Sequence, residues 1–119
     1  MNWFLVFIGG GIGSLLRFGI STGMKPFQLT LPIATLLANV VACIVFAITL
    51  IVYKNNSSLP ENYKLLVLTG VCGGLSTFST FSYETVELIK AGNYTWAVAN
   101  VIFNIALCFF FLFLIPKNT

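Results

Sequence analysis

Apolar residues run almost without interruption through four stretches of this chain, and the polar residues between them are few and clustered. The first run, Trp3 to Gly23, is relieved only by Ser14, Arg17, Ser21 and Thr22. A turn from Met24 to Thr30, carrying Lys25 and Pro26, precedes a second run from Leu31 to Tyr53. Lys54 to Asn62, KNNSSLPEN, is the longest polar segment and reads as the connection between two halves. The third run, Tyr63 to Lys90, begins apolar and ends among Glu84, Glu87 and Lys90; the turn AGNY then leads into a fourth, from Thr95 to Ile115, closed by Pro116 and Lys117. A hydrocarbon crossing takes about 20 apolar residues. The pattern therefore predicts an all-α membrane protein of the lipid bilayer: one domain over residues 1–119 with four transmembrane helices, spanning about 3–23, 31–53, 63–90 and 95–115.

Composition narrows the classes. The chain is 58% hydrophobic and 8% charged, with a mean hydropathy of +0.97, whereas about a quarter of the residues of a soluble domain are charged. Its six Lys or Arg residues are scattered singly, so no patch for nucleic acid exists. Cys43, Cys72 and Cys108 lie far apart in apolar runs and there is no His, which leaves neither a disulfide framework nor metal-ligand spacing. No nucleophile and base pair can be assembled, so an enzyme is not expected. The opening, MNWFLVFIGGGIG, lacks a basic start and continues into further apolar sequence; it reads as a retained span, not a cleaved leader.

The third run departs from a plain membrane helix. In TGVCGGLSTFSTFSYE, Thr69 to Glu84, three glycines crowd together and six hydroxyl side chains follow. Glycine costs roughly 1 kcal/mol per helical position relative to alanine, so this stretch is expected to be non-helical and the third helix to be broken at its centre. Backbone groups freed in lipid need protein, water or an ion as partner. An ion site is one reading; a glycine-softened kink packed on a neighbouring helix is the other.

Single residues add to this. Gly9 and Gly13, Gly19 and Gly23, and the stripe Ala34, Ala38, Ala42 offer close helix packing. Arg17 either snorkels to the interface or stands as a fixed positive charge in a wet vestibule. Asn39 suits an interhelical hydrogen bond or a dehydrated anion. Asn100, Asn104 and Cys108 recur four apart and make a polar stripe on the fourth helix, while Phe109, Phe110, Phe111 and Phe113 are expected to face lipid. Lys54, Lys64 and Lys117 fall on one side of the membrane and Arg17, Lys25 and Lys90 on the other. This even split predicts dual topology, and two oppositely oriented copies would form an antiparallel dimer.

The pattern GVCGGLSTFSTFSYE, Gly70 to Glu84, with GGGIGSLLRF around Arg17 and PIATLLAN ending at Asn39, resembles the Fluc (CrcB) fluoride channels over essentially the whole chain. The resemblance implies a fluoride-selective channel that exports fluoride passively and relieves its toxicity, multi-pass in the inner (plasma) membrane. It implies an antiparallel dual-topology homodimer, or a heterodimer with a paralogue, around a structural Na+ held by backbone carbonyls of Gly73 and Ser76. Phe78 and Phe81 would line the fluoride pathway, with Asn39, Thr77, Ser79, Thr80 and Asn104 as polar contacts, Arg17 in a vestibule and Glu84 near a pore end. Ala34 and Ala42 replace glycines usual in that family, and Asn100 and Asn104 stand where Tyr and Ser are usual.

Two other readings start from the same four spans. A small multidrug-resistance-type exporter needs a carboxylate deep in the membrane, and the first, second and fourth spans contain none. A non-transporting membrane subunit would use the small-residue faces for packing alone, which leaves the concentration of hydroxyls and glycines at one depth unexplained.

Overall fold

Close approach of backbone to backbone positions the centre of this molecule. The computed structural model describes residues 2–27, 31–56, 58 and 60–116. It contains four helices long and apolar enough to cross a membrane, which we number α1 (Asn2–Gly23), α2 (Ile33–Asn55), α3 (Glu61–Lys90) and α4 (Tyr94–Phe113). All secondary structure among the described residues is helical. The bounds fall within two residues of the predicted spans. The second run was expected to begin at Leu31, but Pro32 is the N-cap residue, with φ −74° and ψ 85°, so the helix starts at Ile33. At the other end α2 continues through Lys54 to Asn55, because polar side chains at a membrane surface do not oppose helix. Lys117, counted above among the loop charges, lies outside the described residues, as does part of each of the two polar connections.

The glycines of α3 stay in helical backbone. Leu65–Cys72 winds as a π-helix and Gly73–Leu75 as α-helix; Phe78–Lys90 is α-helix again. Only Ser76 (φ −81°, ψ 154°) and Thr77 (φ −150°, ψ 120°) leave helical angles. The non-helical stretch expected over Thr69 to Glu84 thus shrinks to two residues, and it follows the glycines instead of coinciding with them. The glycines serve a different end. A methyl group on Gly70 would lie 2.7 Å from the Gly9 Cα, and one on Gly13 would lie 2.8 Å from the Leu75 amide nitrogen. In lipid, burial of apolar surface gives helices no reason to associate, so contact at this range through small residues is what draws α1 and α3 together.

On the other side of α3, Ala38 and Ala42 of α2 form a buried cluster with Leu75, and Ile20 and Val41 pack against it. Two of the three alanines of the stripe therefore pack as its spacing predicted, while Ala34 is half-exposed and lines a cavity. Gly92, at φ +82°, ends α3. There Asn93 N–H donates to Leu88 O at 2.8 Å and Gly92 N–H to Ile89 O at 3.0 Å, the pair of bonds that a left-handed glycine makes after a helix. This turn reverses the chain into α4. The surface left over is largely aromatic and aliphatic, with Trp3, Phe7, Phe109, Phe110 and Phe113 exposed, as lipid contact requires.

Candidate functional site

Asn39 holds the backbone at the point where α3 leaves helical angles. In a continuous helix the Thr77 amide would donate to the Gly73 carbonyl; here it donates to Asn39 Oδ1 at 2.8 Å. The Thr80 amide, which would reach the Ser76 carbonyl, donates to Thr77 Oγ1 at 3.1 Å, so Thr77 caps the second half of α3. Two backbone carbonyls, of Gly73 and Ser76, have thereby lost the donors a helix would supply. Both residues are exposed, and a methyl on Gly73 would meet nothing within 4 Å. Neutral, hard oxygen atoms freed in this way fit a monovalent cation such as Na+.

The Gly74 carbonyl, whose helical partner would be the Phe78 amide across the interruption, accepts from Arg17 Nε at 3.1 Å. A helix C-terminus carries partial negative charge, so the guanidinium is stabilised there. Arg17 does more than snorkel: one of its five N–H donors is fixed on α3, and the half-buried group keeps others for further partners.

From Asn39 a line of amides crosses the bundle. Its Nδ2 donates to Asn104 Oδ1 at 3.0 Å, with Thr77 O at 3.5 Å from the same nitrogen. Asn104 Nδ2 donates back along α4 to Asn100, at 2.8 Å to O and 3.0 Å to Oδ1. Asn100 Nδ2 then donates to Thr85 Oγ1 at 2.9 Å, and the Thr85 hydroxyl donates to Phe81 O at 2.8 Å. Three helices are joined by side chains whose dipoles reinforce one another. The interhelical reading of Asn39 is therefore realised, and its second N–H is directed at Thr77 O, at the limit of bonding distance.

Asn39, Ser76, Thr77, Phe78, Phe81, Asn104, Cys43 and Cys108 line one open groove of about 300 Å³. The Phe78 and Phe81 rings lie 5.8 Å apart and tilted at 53° to one another, and Phe78 is 79% exposed. Ser79 and Thr80 flank this groove through Thr77 Oγ1, with Ser79 Oγ at 3.3 Å. Of the residues expected to act together, the structure thus gathers Asn39, Thr77, Phe78, Phe81 and Asn104, with Ser79 and Thr80 beside them. Glu84 is elsewhere. It lines a separate cavity of about 310 Å³ with Ser21, Lys25 and Ala34, and its Oε1 is buried without a hydrogen-bond partner among the described residues. Arg17 also lies outside the groove, and Asn104 is 5% exposed, engaged at both ends of its amide. Sequence reasoning did not single out Thr85, which lies outside the hydroxyl cluster, or Cys43, whose only signal is its position four residues after Asn39.

Four membrane-competent helices beside an open groove with no charged side chain in its lining define a multi-pass membrane protein. The family model of the CrcB-like proteins, described as Camphor Resistance (CrcB), matches residues 4–115; the chain belongs to this family. It is 44% identical over 101 residues to a protein of Serratia proteamaculans (strain 568) named fluoride-specific ion channel FluC, an alignment that covers 85% of this chain and 80% of that one. It is 43% identical, with the same coverage, to fluoride-specific ion channel FluC 1 of Yersinia pseudotuberculosis serotype I (strain IP32953). A FluC of Klebsiella pneumoniae (strain 342) is 44% identical over 100 residues, 84% of this chain and 79% of its own. These relatives are named as channels, not as enzymes.

Proposed function

We propose that this protein is a fluoride-selective channel that lets fluoride leave the cell passively through the inner membrane and so relieves fluoride toxicity. The observation that carries the reading is the interruption at Ser76 and Thr77, held open by Asn39 beside two phenylalanine rings, in a chain similar to proteins named fluoride-specific channels. Fluoride is small and strongly hydrated, so a pathway has to replace its water with donors. Asn39 Nδ2 and the hydroxyls of Thr77, Ser79 and Thr80 supply them, and the positive edges of Phe78 and Phe81 contact an anion that the ring faces would repel. Arg17 attracts anions into a vestibule at one end, the side on which Glu84 lines its own cavity with Lys25.

On this reading the break in α3 is also the centre of an antiparallel, dual-topology dimer. The exposed carbonyls of Gly73 and Ser76 from two copies would hold a structural sodium ion on the two-fold axis, supplying fixed positive charge at the interface. The partner copy is an identical chain, or a paralogue of opposite orientation. Purified protein in liposomes loaded with fluoride and chloride tests the function: fluoride leaves and chloride stays. A release that requires a proton gradient would replace the passive channel with a coupled exporter.

A further inference from the structure

Beyond the Asn39–Asn104 bond the groove changes chemistry. As second and fourth spans of an up-and-down bundle, α2 and α4 run parallel, and Asn39 meets Asn104 at 3.0 Å. Four residues on in each helix is the same face, one turn and about 6 Å further along. That register places Cys43 opposite Cys108. Both thiols line the groove with Phe81, and both are free and half-buried. Cys72 differs: it is buried, and its thiol donates to Ala42 O at 3.5 Å.

Among the described residues no group of three or more His, Cys, Asp or Glu could hold a metal ion, so this pair offers two sulfur atoms and nothing more. Zinc in a structural site takes four ligands, and calcium six or more oxygens. Two thiolates facing one another suit a soft monovalent cation, Cu(I) or Ag(I), which accepts linear coordination by sulfur. We propose that Cys43 and Cys108 form a two-coordinate site for such a cation inside the groove. Two S–H bonds break and two metal–sulfur bonds form; the two protons pass to water in the groove, and no electron is transferred. The neutral pair becomes a bis-thiolate complex of net charge −1. If the groove is the fluoride pathway, this charge and the bulk of the ion close it to an anion, a consequence that rests on the function proposed above.

Silver nitrate in chloride-free buffer is the probe. Detergent-purified protein, desalted after exposure and measured by elemental mass spectrometry, should retain about one silver per chain. Retention should fall at least tenfold in Cys43→Ala and in Cys108→Ala, and in the corresponding Ser variants should either Ala variant fold poorly; Cys72→Ala should retain silver, and zinc should not be held by the unmodified protein. Silver kept by both single variants, or absent from the unmodified protein, overturns the site. The same preparations in liposomes separate this proposal from the function: silver should slow fluoride release, and excess dithiothreitol should restore it. Silver bound through Cys43 and Cys108 with fluoride release unchanged would leave the site standing and remove the groove from the conduction pathway.

Discussion

Asn39→Ala removes two interactions at once, and the structure says what each is worth. The Thr77 amide loses an acceptor at 2.8 Å and the Asn104 carbonyl loses a donor at 3.0 Å. Side-chain hydrogen bonds between membrane helices average about 0.6 kcal/mol and reach about 1.7. A buried group left without a partner costs about 1–3 kcal/mol, reduced here because Asn39 is only half-buried and the groove is open on one side. The expected loss is therefore about 2 kcal/mol, roughly a thirtyfold shift away from the held conformation at 1.4 kcal/mol per tenfold. A double-mutant cycle with Asn104→Ala isolates the direct bond, for which the coupling should be about 1 kcal/mol; the remainder belongs to Thr77. Unfolding in mixed detergent micelles gives the stabilities, and fluoride release from liposomes gives the function. Additive costs in the cycle would remove the Asn39–Asn104 bond, and unchanged stability with full flux in Asn39→Ala would refute the assignment of Asn39 as the residue that holds the interruption.

Other consequences are as direct. Phe78→Ile and Phe81→Ile keep apolar bulk but remove the ring edge, so fluoride flux should fall while the assembly persists in detergent; wild-type flux in both would return the rings to packing. Gly13→Ala should lower the unfolding midpoint although helix propensity alone favours Ala by about 1 kcal/mol, because the added methyl meets α3 backbone; a raised midpoint would contradict the close α1–α3 contact. Asn39→Asp should impair flux, since a carboxylate donates no hydrogen bond and would face Asn104 Oδ1 acceptor to acceptor. A Lys introduced at Asn55 should drive both termini to the cytoplasm and one at Asn93 should drive them out, read by labelling a single cysteine near the C-terminus from each side of intact cells. A single orientation in the unmodified protein would remove the antiparallel homodimer.

The four spans were legible because hydrophobic length alone decides what crosses a bilayer, and the turns at Pro26, Pro60 and Gly92 bracket them. The small-residue faces were legible in part: Ala38 and Ala42 meet Leu75, and Gly9 and Gly13 lie against α3 backbone, whereas Gly19 and Gly23 are exposed and a methyl on either would meet nothing within 4 Å. The glycines of α3 were read through their helix propensity, and that was the wrong term. Gly70 and Gly74 lie against Gly9 and Gly10 of a helix some 60 residues away in sequence, and tertiary contact keeps them helical. The departure at Ser76 and Thr77 depends on an acceptor 38 residues distant, the Asn39 side chain, which no local pattern contains. Asn104 was visible as part of a stripe, but its commitment to Asn39 on one side and Asn100 on the other could not be read from spacing. Glu84 was placed with the pathway by its motif, yet its side chain lies over Lys25 and Ala34, in a separate cavity, because α3 turns it toward the start of α2.

The account rests on fluoride crossing by itself, and a reversal potential tests that most directly. Protein fused into a planar bilayer with a fluoride gradient and equal chloride on both sides should carry a current that reverses at the equilibrium potential of fluoride. The reversal should not move when chloride or pH is changed on one side. A reversal at zero, or one that follows the chloride or proton gradient, would contradict the account.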